Sequence, residues 1–68
     1  MKTYHAVASL IYDERVVINY IGPVEVDSET LPKTDYTMGK HKFDPDRYTD
    51  YFNTEDEAYQ WVEEQKNA

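Results

Sequence analysis

Two histidines, fourteen carboxylates and seven tyrosines are the chemically capable groups of this 68-residue chain, which has no cysteine. An imidazole acts as a general base near neutral pH only when a nucleophile and an orienting group lie within hydrogen-bond reach. His5 falls in a strand-like run, on the side expected to point away from a helix, and His41 is held between Lys40 and Lys42. Neither belongs to a nucleophile–base pattern, so both are read as solvated histidines and no catalytic residue is assigned. The spacing Asp44-x-Asp46-x-x-x-Asp50 clusters the oxygens that a hard cation prefers. It lacks the glycine, the regular alternation and the closing glutamate of an EF-hand loop, and is read as a polar turn. A phosphate cradle needs glycine-freed amides, and Gly22 and Gly39 stand alone. No metal and no cofactor are expected, and the chain is read as a non-enzyme.

The charge is distributed unevenly. Met1 to Val24 is balanced, with Lys2 and Arg15 against Asp13 and Glu14. The remainder sets five Lys and Arg residues against twelve carboxylates and therefore carries the whole net charge of -7. Lys33, Lys40, His41, Lys42 and Arg47, near Tyr36 and Phe43, would have to attract a polyanion against that field, so direct nucleic-acid binding is not expected. The tyrosines point elsewhere. A phenol offers a large contact area with a polar tip, which suits protein interfaces. Tyr12 and Tyr20 are assigned to the core, while Tyr48, Tyr51 and Tyr59 lie among the acids.

The expected function is therefore non-enzymatic: an acidic, aromatic surface that docks on a basic protein partner. Asp46, Tyr48, Asp50, Tyr51, Asp56, Glu63 and Glu64 are the expected partner-binding residues. Carboxylates on a rigid element can stand where phosphates otherwise bind, so the partner's nucleic-acid site is the expected target. In composition the chain resembles small acidic inhibitors encoded by bacteriophages and mobile elements. The alternative is a structural or assembly module that homodimerises through its sheet edge or its tyrosine face. The absence of cysteine fits a reducing cytoplasm. No run approaches the ~20 apolar residues of a membrane span, and no leader with a cleavage site follows Lys2, so a soluble cytoplasmic protein is expected.

Such a surface needs a scaffold, and 68 residues allow one domain with one small core. Thr3–Tyr12 and Val16–Ile21 are β-branched and aromatic runs that read as a hairpin. Pairing across Asp13-Glu14-Arg15 sets Tyr12 against Val16, Leu10 against Ile18 and Ala8 against Tyr20 on one apolar face. Leu10→Asp is then expected to be more damaging than Ser9→Asp. Residues 27–42 read as a long loop with a short strand around Tyr36–Met38. Asp44-Pro45 opens either a short helix or, preferably, a strand from Arg47 to Phe52 with Tyr48 and Phe52 on one side. Thr54 and Glu57 have capping-box spacing, followed by an apolar stripe of Ala58, Trp61 and Val62. Trp61 is expected to rest on Ala6 and Ala8. The fold class that follows is α+β: a small antiparallel sheet of two to four strands with an N-terminal hairpin and one C-terminal helix on one face, all in a single domain spanning residues 1–68.

Overall fold

The computed structural model describes residues 1–67. Strands β1 (Lys2–Ile11), β2 (Val16–Val26), β3 (Asp35–Thr37) and β4 (Asp46–Phe52) precede one helix, α1 (Glu55–Lys66). The strands form one antiparallel sheet in the order β2-β1-β4-β3, and α1 packs on one face. This is the expected α+β architecture, and the preferred strand reading holds, with β4 running from Asp46 to Phe52 after Asp44-Pro45.

Helix α1 starts where its cap dictates. Thr54 is extended (φ -131°, ψ 156°), and its hydroxyl oxygen accepts from the Glu57 amide at 3.2 Å. The same hydroxyl donates to the Glu57 carboxylate at 3.1 Å. Glu55, Asp56 and Glu57 occupy the first turn, where exposed amides favour negative charge. At the other end Asn67 donates its backbone N–H to the Glu63 carbonyl.

The hairpin register differs from expectation by one residue near its tip. Val7 pairs with Tyr20, Ala8 with Asn19, Ser9 with Ile18, Leu10 with Val17 and Ile11 with Val16. The reason is local geometry. The connection holds four residues, closed by the Tyr12 amide donating to the Arg15 carbonyl at 2.8 Å. The extra residue is recovered at a bulge beside Gly22, where φ is +131° and a side chain would be strained. Beyond the bulge Ala6 pairs with Gly22 and Tyr4 with Val24.

That slip exchanges the faces of β1. Val7, not Ala8, lies beneath the helix, in a cluster with Ala58 and Val62 that Ile18, Tyr20, Phe52 and Trp61 pack against. Trp61 meets Phe52, with ring centroids 5.8 Å apart, instead of lying on Ala6 and Ala8. His5 is likewise on the helix side: its Nδ1 is 2.9 Å from the Tyr20 hydroxyl, and the Tyr20 ring lies 4.6 Å from that of Tyr59 of α1, tilted by 38°. Ala6, Ala8 and Leu10 point to the opposite face, together with Val24 of β2 and Thr49 and Tyr51 of β4. Asn19 joins them and stays solvated because no helix covers that side.

The chain leaves β2 at one edge and must enter β3 at the other. The connecting segment 27–34 is tied to the sheet by the Tyr4 hydroxyl, which donates to the Ser28 carbonyl at 3.0 Å, and by the Thr34 hydroxyl, which donates to Asp50. Tyr4 is completely buried as a result. Gly39 is also required in place, because a Cβ there would come within 2.5 Å of the Asp44 carbonyl oxygen.

Candidate functional site

Helix α1 lies towards β2 and β1, and its flank that carries Trp61 meets Phe52 of β4. The rest of the β3–β4 half of that sheet face is uncovered. Alternation along β4 places Asp46, Tyr48 and Asp50 there, and β3 adds Tyr36, paired directly with Tyr48. The two phenol rings are 4.7 Å apart, and both remain partly open to solvent, Tyr36 at 47% and Tyr48 at 36%. The rings are tilted by 43° to each other, a cross-strand aromatic pair that presents contact area to a partner.

The acids around that pair have structural partners as well as charge. Asp46 accepts from the Gly39 amide at 3.0 Å, Asp44 from the His41 amide at 3.2 Å, and Asp50 from the Thr34 hydroxyl at 2.6 Å. The three aspartates of the calcium-like spacing are thus spent on separate segments of the 34–44 loop. Among the described residues no group of three or more His, Asp or Glu is arranged to hold a metal ion. Tyr36 has its phenol pKa raised, first by desolvation and then by Asp46, through a side-chain hydrogen bond and its charge. On the other side of the helix Tyr20 is raised too, first by desolvation and then by the charge of Glu55.

The helix supplies a second acidic array. Glu55, Asp56, Glu57, Glu63 and Glu64 are all exposed, and against the single Lys66 they leave α1 with a net charge of -4. Asp56 and Glu63 are two turns apart on the outward side, roughly 10 Å along the axis. Glu57 and Glu64 flank Trp61 and border the hollow that it forms with Phe52.

The seven residues singled out from the sequence therefore divide. Asp46, Tyr48 and Asp50 come together on the sheet, beside the helix. Glu64 sits on the flank of α1 nearest to them, and Asp56 and Glu63 lie on its outer side. Tyr51 is separated from all of these, because it alternates onto the opposite face of the sheet. Tyr36 was missing from the set; its pairing with Tyr48 is non-local and leaves no local signal in the sequence.

Two of the seven cations, Arg15 and Lys42, meet at the tip of the hairpin. There Arg15 lies over the Tyr12 ring at 5.1 Å and Lys42 over Phe43 at 5.6 Å, lining a cleft with Asp13, Glu14 and Asp44. Those acids neutralise the cleft locally. No helix among the described residues is long and apolar enough to cross a membrane. No family model matches the chain, and neither the curated proteins nor the solved structures contain a match to it.

Proposed function

We propose that this chain is a non-enzymatic binding module whose acidic helix and Tyr36–Tyr48 pair dock on the basic surface of another protein. One observation carries the reading: an exposed helix of net charge -4 borders a half-open tyrosine pair flanked by Asp46 and Asp50. Charge of this kind steers encounter with a basic partner, and aromatic anchors then slow dissociation. A surface built by nature to hold phosphates is the fitting target, so the module acts as a competitive inhibitor of a nucleic-acid-handling protein in the cytoplasm. In composition and size the chain resembles small acidic inhibitors of bacteriophage type.

Capture of basic proteins from a bacterial lysate, at low and then raised salt, tests the proposal. With the captured partner in hand, Asp56→Lys with Glu63→Lys is expected to slow association and flatten its salt dependence. Tyr48→Ala is expected to speed dissociation, whereas Tyr51→Ala, on the opposite face, leaves it unchanged. Unchanged affinity of the charge-reversed protein at every salt concentration would reduce the acids to a solubility device and end the inhibitor reading.

A further inference from the structure

The two edges of the sheet are built differently. Edge strand β3 is three residues long, opens on Asp35 and is backed by the Thr34–Asp50 hydrogen bond. Short, charged edges of this kind resist pairing with another strand. Edge strand β2 carries no such guard over its first half. The run Val16-Val17-Ile18-Asn19-Tyr20-Ile21 holds no charge and no proline, in a chain of which 31% is charged. The bulge at Ile21 and then Pro23 interrupt the strand only at the end of that run. The bond from the Tyr12 amide to the Arg15 carbonyl fixes the phase of the β1–β2 ladder. Bonded pairs recur at every second residue, so Leu10–Val17 and Ala8–Asn19 exchange bonds, while Val16, Ile18 and Tyr20 turn their N–H and C=O groups outward. Among the described residues no loop backbone is bonded to those groups. Val16 is 56% exposed, and an open hollow of about 640 Å³ runs along the edge between Val16–Asn19 and the Gln65–Lys66 end of α1.

We propose that this edge pairs with its own counterpart: two copies join β2 to β2, antiparallel about a two-fold axis at Ile18, into one sheet with four strands from each copy. The three outward positions exchange about six hydrogen bonds, Ile18 with Ile18 and Val16 with Tyr20 in both directions. The side chains suit that register. On the helix side Val16 faces the second copy's Tyr20 and Ile18 faces Ile18, β-branched and aromatic pairs that stabilise a ladder. On the other side Val17 faces Asn19, so no charge meets a like charge along the join. Helix α1 runs antiparallel to this edge, with Tyr59 against Tyr20 and Lys66 bordering the hollow beside Val16. Glu55, Tyr59 and Lys66 fall on its β2 flank, opposite Trp61, and Glu63 lies further out. The two-fold axis therefore brings the single cation of each helix towards Tyr59 and Glu55 of the other. Growth stops at two copies, because the outer edges of the joined sheet are the guarded β3 strands. The Tyr36–Tyr48 pair stays free at those outer edges, so the inference does not rest on the docking proposal.

Sedimentation equilibrium of the intact chain over a wide concentration range tests it. The expected result is a species of about 16 kDa, twice the 8.1 kDa chain mass. Raised salt should tighten the dimer, because the two helices, each of net charge -4, then repel less. Docking on a basic partner responds in the opposite sense. Val17→Lys with Asn19→Lys sets like charges directly opposite one another on the side away from the helix. It should raise the dissociation constant about tenfold or more, with the far-ultraviolet circular dichroism retained. Thr37→Lys, at the β3 edge, should leave the constant unchanged. Should the double variant fail to fold, single cysteines give a second measurement, since the chain has none of its own. In this register Val17 and the second copy's Asn19 form a non-bonded pair with Cα atoms about 4.5 Å apart, within disulfide reach. Oxidation of a mixture of Val17→Cys and Asn19→Cys should therefore link the two proteins to each other in preference to either with itself. A monomer at every concentration would overturn the proposal. So would a dimer weakened by Thr37→Lys but not by the double lysine variant, or cross-linking no more efficient in the mixture than in either protein alone.

Discussion

The first strand and the helix treat their side chains in opposite ways. Strand β1 holds five of the seven buried side chains among the described residues, namely Tyr4, Ala6, Val7, Ala8 and Ser9, and Lys2 is its only charged residue. Helix α1 buries Ala58 and Val62 and turns five carboxylates to solvent. Scaffold and display are thus separated along the chain. The central position of β1, paired on both sides and covered by α1 over its middle, leaves little room for polar substitution. The helix touches the sheet along one narrow stripe and is free to vary everywhere else. Stability and surface chemistry are consequently governed by different residues, and each can be perturbed alone.

The largest effect should come from the two faces of β1. Ser9 is buried beneath the helix side, opposite Ile18, whereas Leu10 is half-buried on the face away from the helix. Ser9→Asp should therefore unfold the protein, because an unpaired buried carboxylate outweighs the roughly 3–5 kcal/mol that one small core provides. Leu10→Asp should be milder. This reverses the order expected from the sequence, and thermal melts of the two variants decide between the registers.

Trp61→Ala should rank next, at about 3 kcal/mol, through loss of the contact with Phe52 and the cavity left against Val7 and Val62. The indole is half-buried, so its native fluorescence should lie to the blue of the unfolded chain. A native spectrum matching that of the unfolded protein would break the packing described for the helix. Thr54→Ala should cost about 1 kcal/mol, since it removes both the acceptor for the Glu57 amide and the donor to its carboxylate. Chemical denaturation measures both losses.

The smallest effect should appear at alkaline pH. Tyr20 and Tyr36 have phenol pKa values raised above the ordinary tyrosine value of 10.0, chiefly by desolvation and then by nearby acids. Their protons are held more tightly in the folded state, so these groups do not affect stability below pH 10. As the pH rises through and beyond 10 the unfolded chain ionises first, and stability falls. Tyr20→Phe and Tyr36→Phe should each blunt that fall. Alkaline profiles of both variants identical to that of the parent protein would show that neither ring meets the acids assigned to it.

Thr54, Glu57 and the stripe of Ala58, Trp61 and Val62 made the helix legible from the sequence alone, because capping and 3.6-residue periodicity are local properties. The β-branched runs made the strands legible for the same reason, down to the short one at Tyr36 and the strand ending at Phe52. Composition likewise placed all the net charge after Val24. Register was another matter. Alternation along β1 offers two faces that are almost equally apolar, and the choice fell to a four-residue connection and to the bulge at Gly22. The candidate site was divided by the same period of two: Tyr48 and Asp50 stand beside the helix, while Tyr51, one residue further on, faces the other side. The meeting of Tyr36 with Tyr48 depended on a connection that crosses the whole sheet. Local sequence determined which elements form, since their energies are set within a few residues, but only tertiary packing decided which face the helix would cover and which side chains would share a surface.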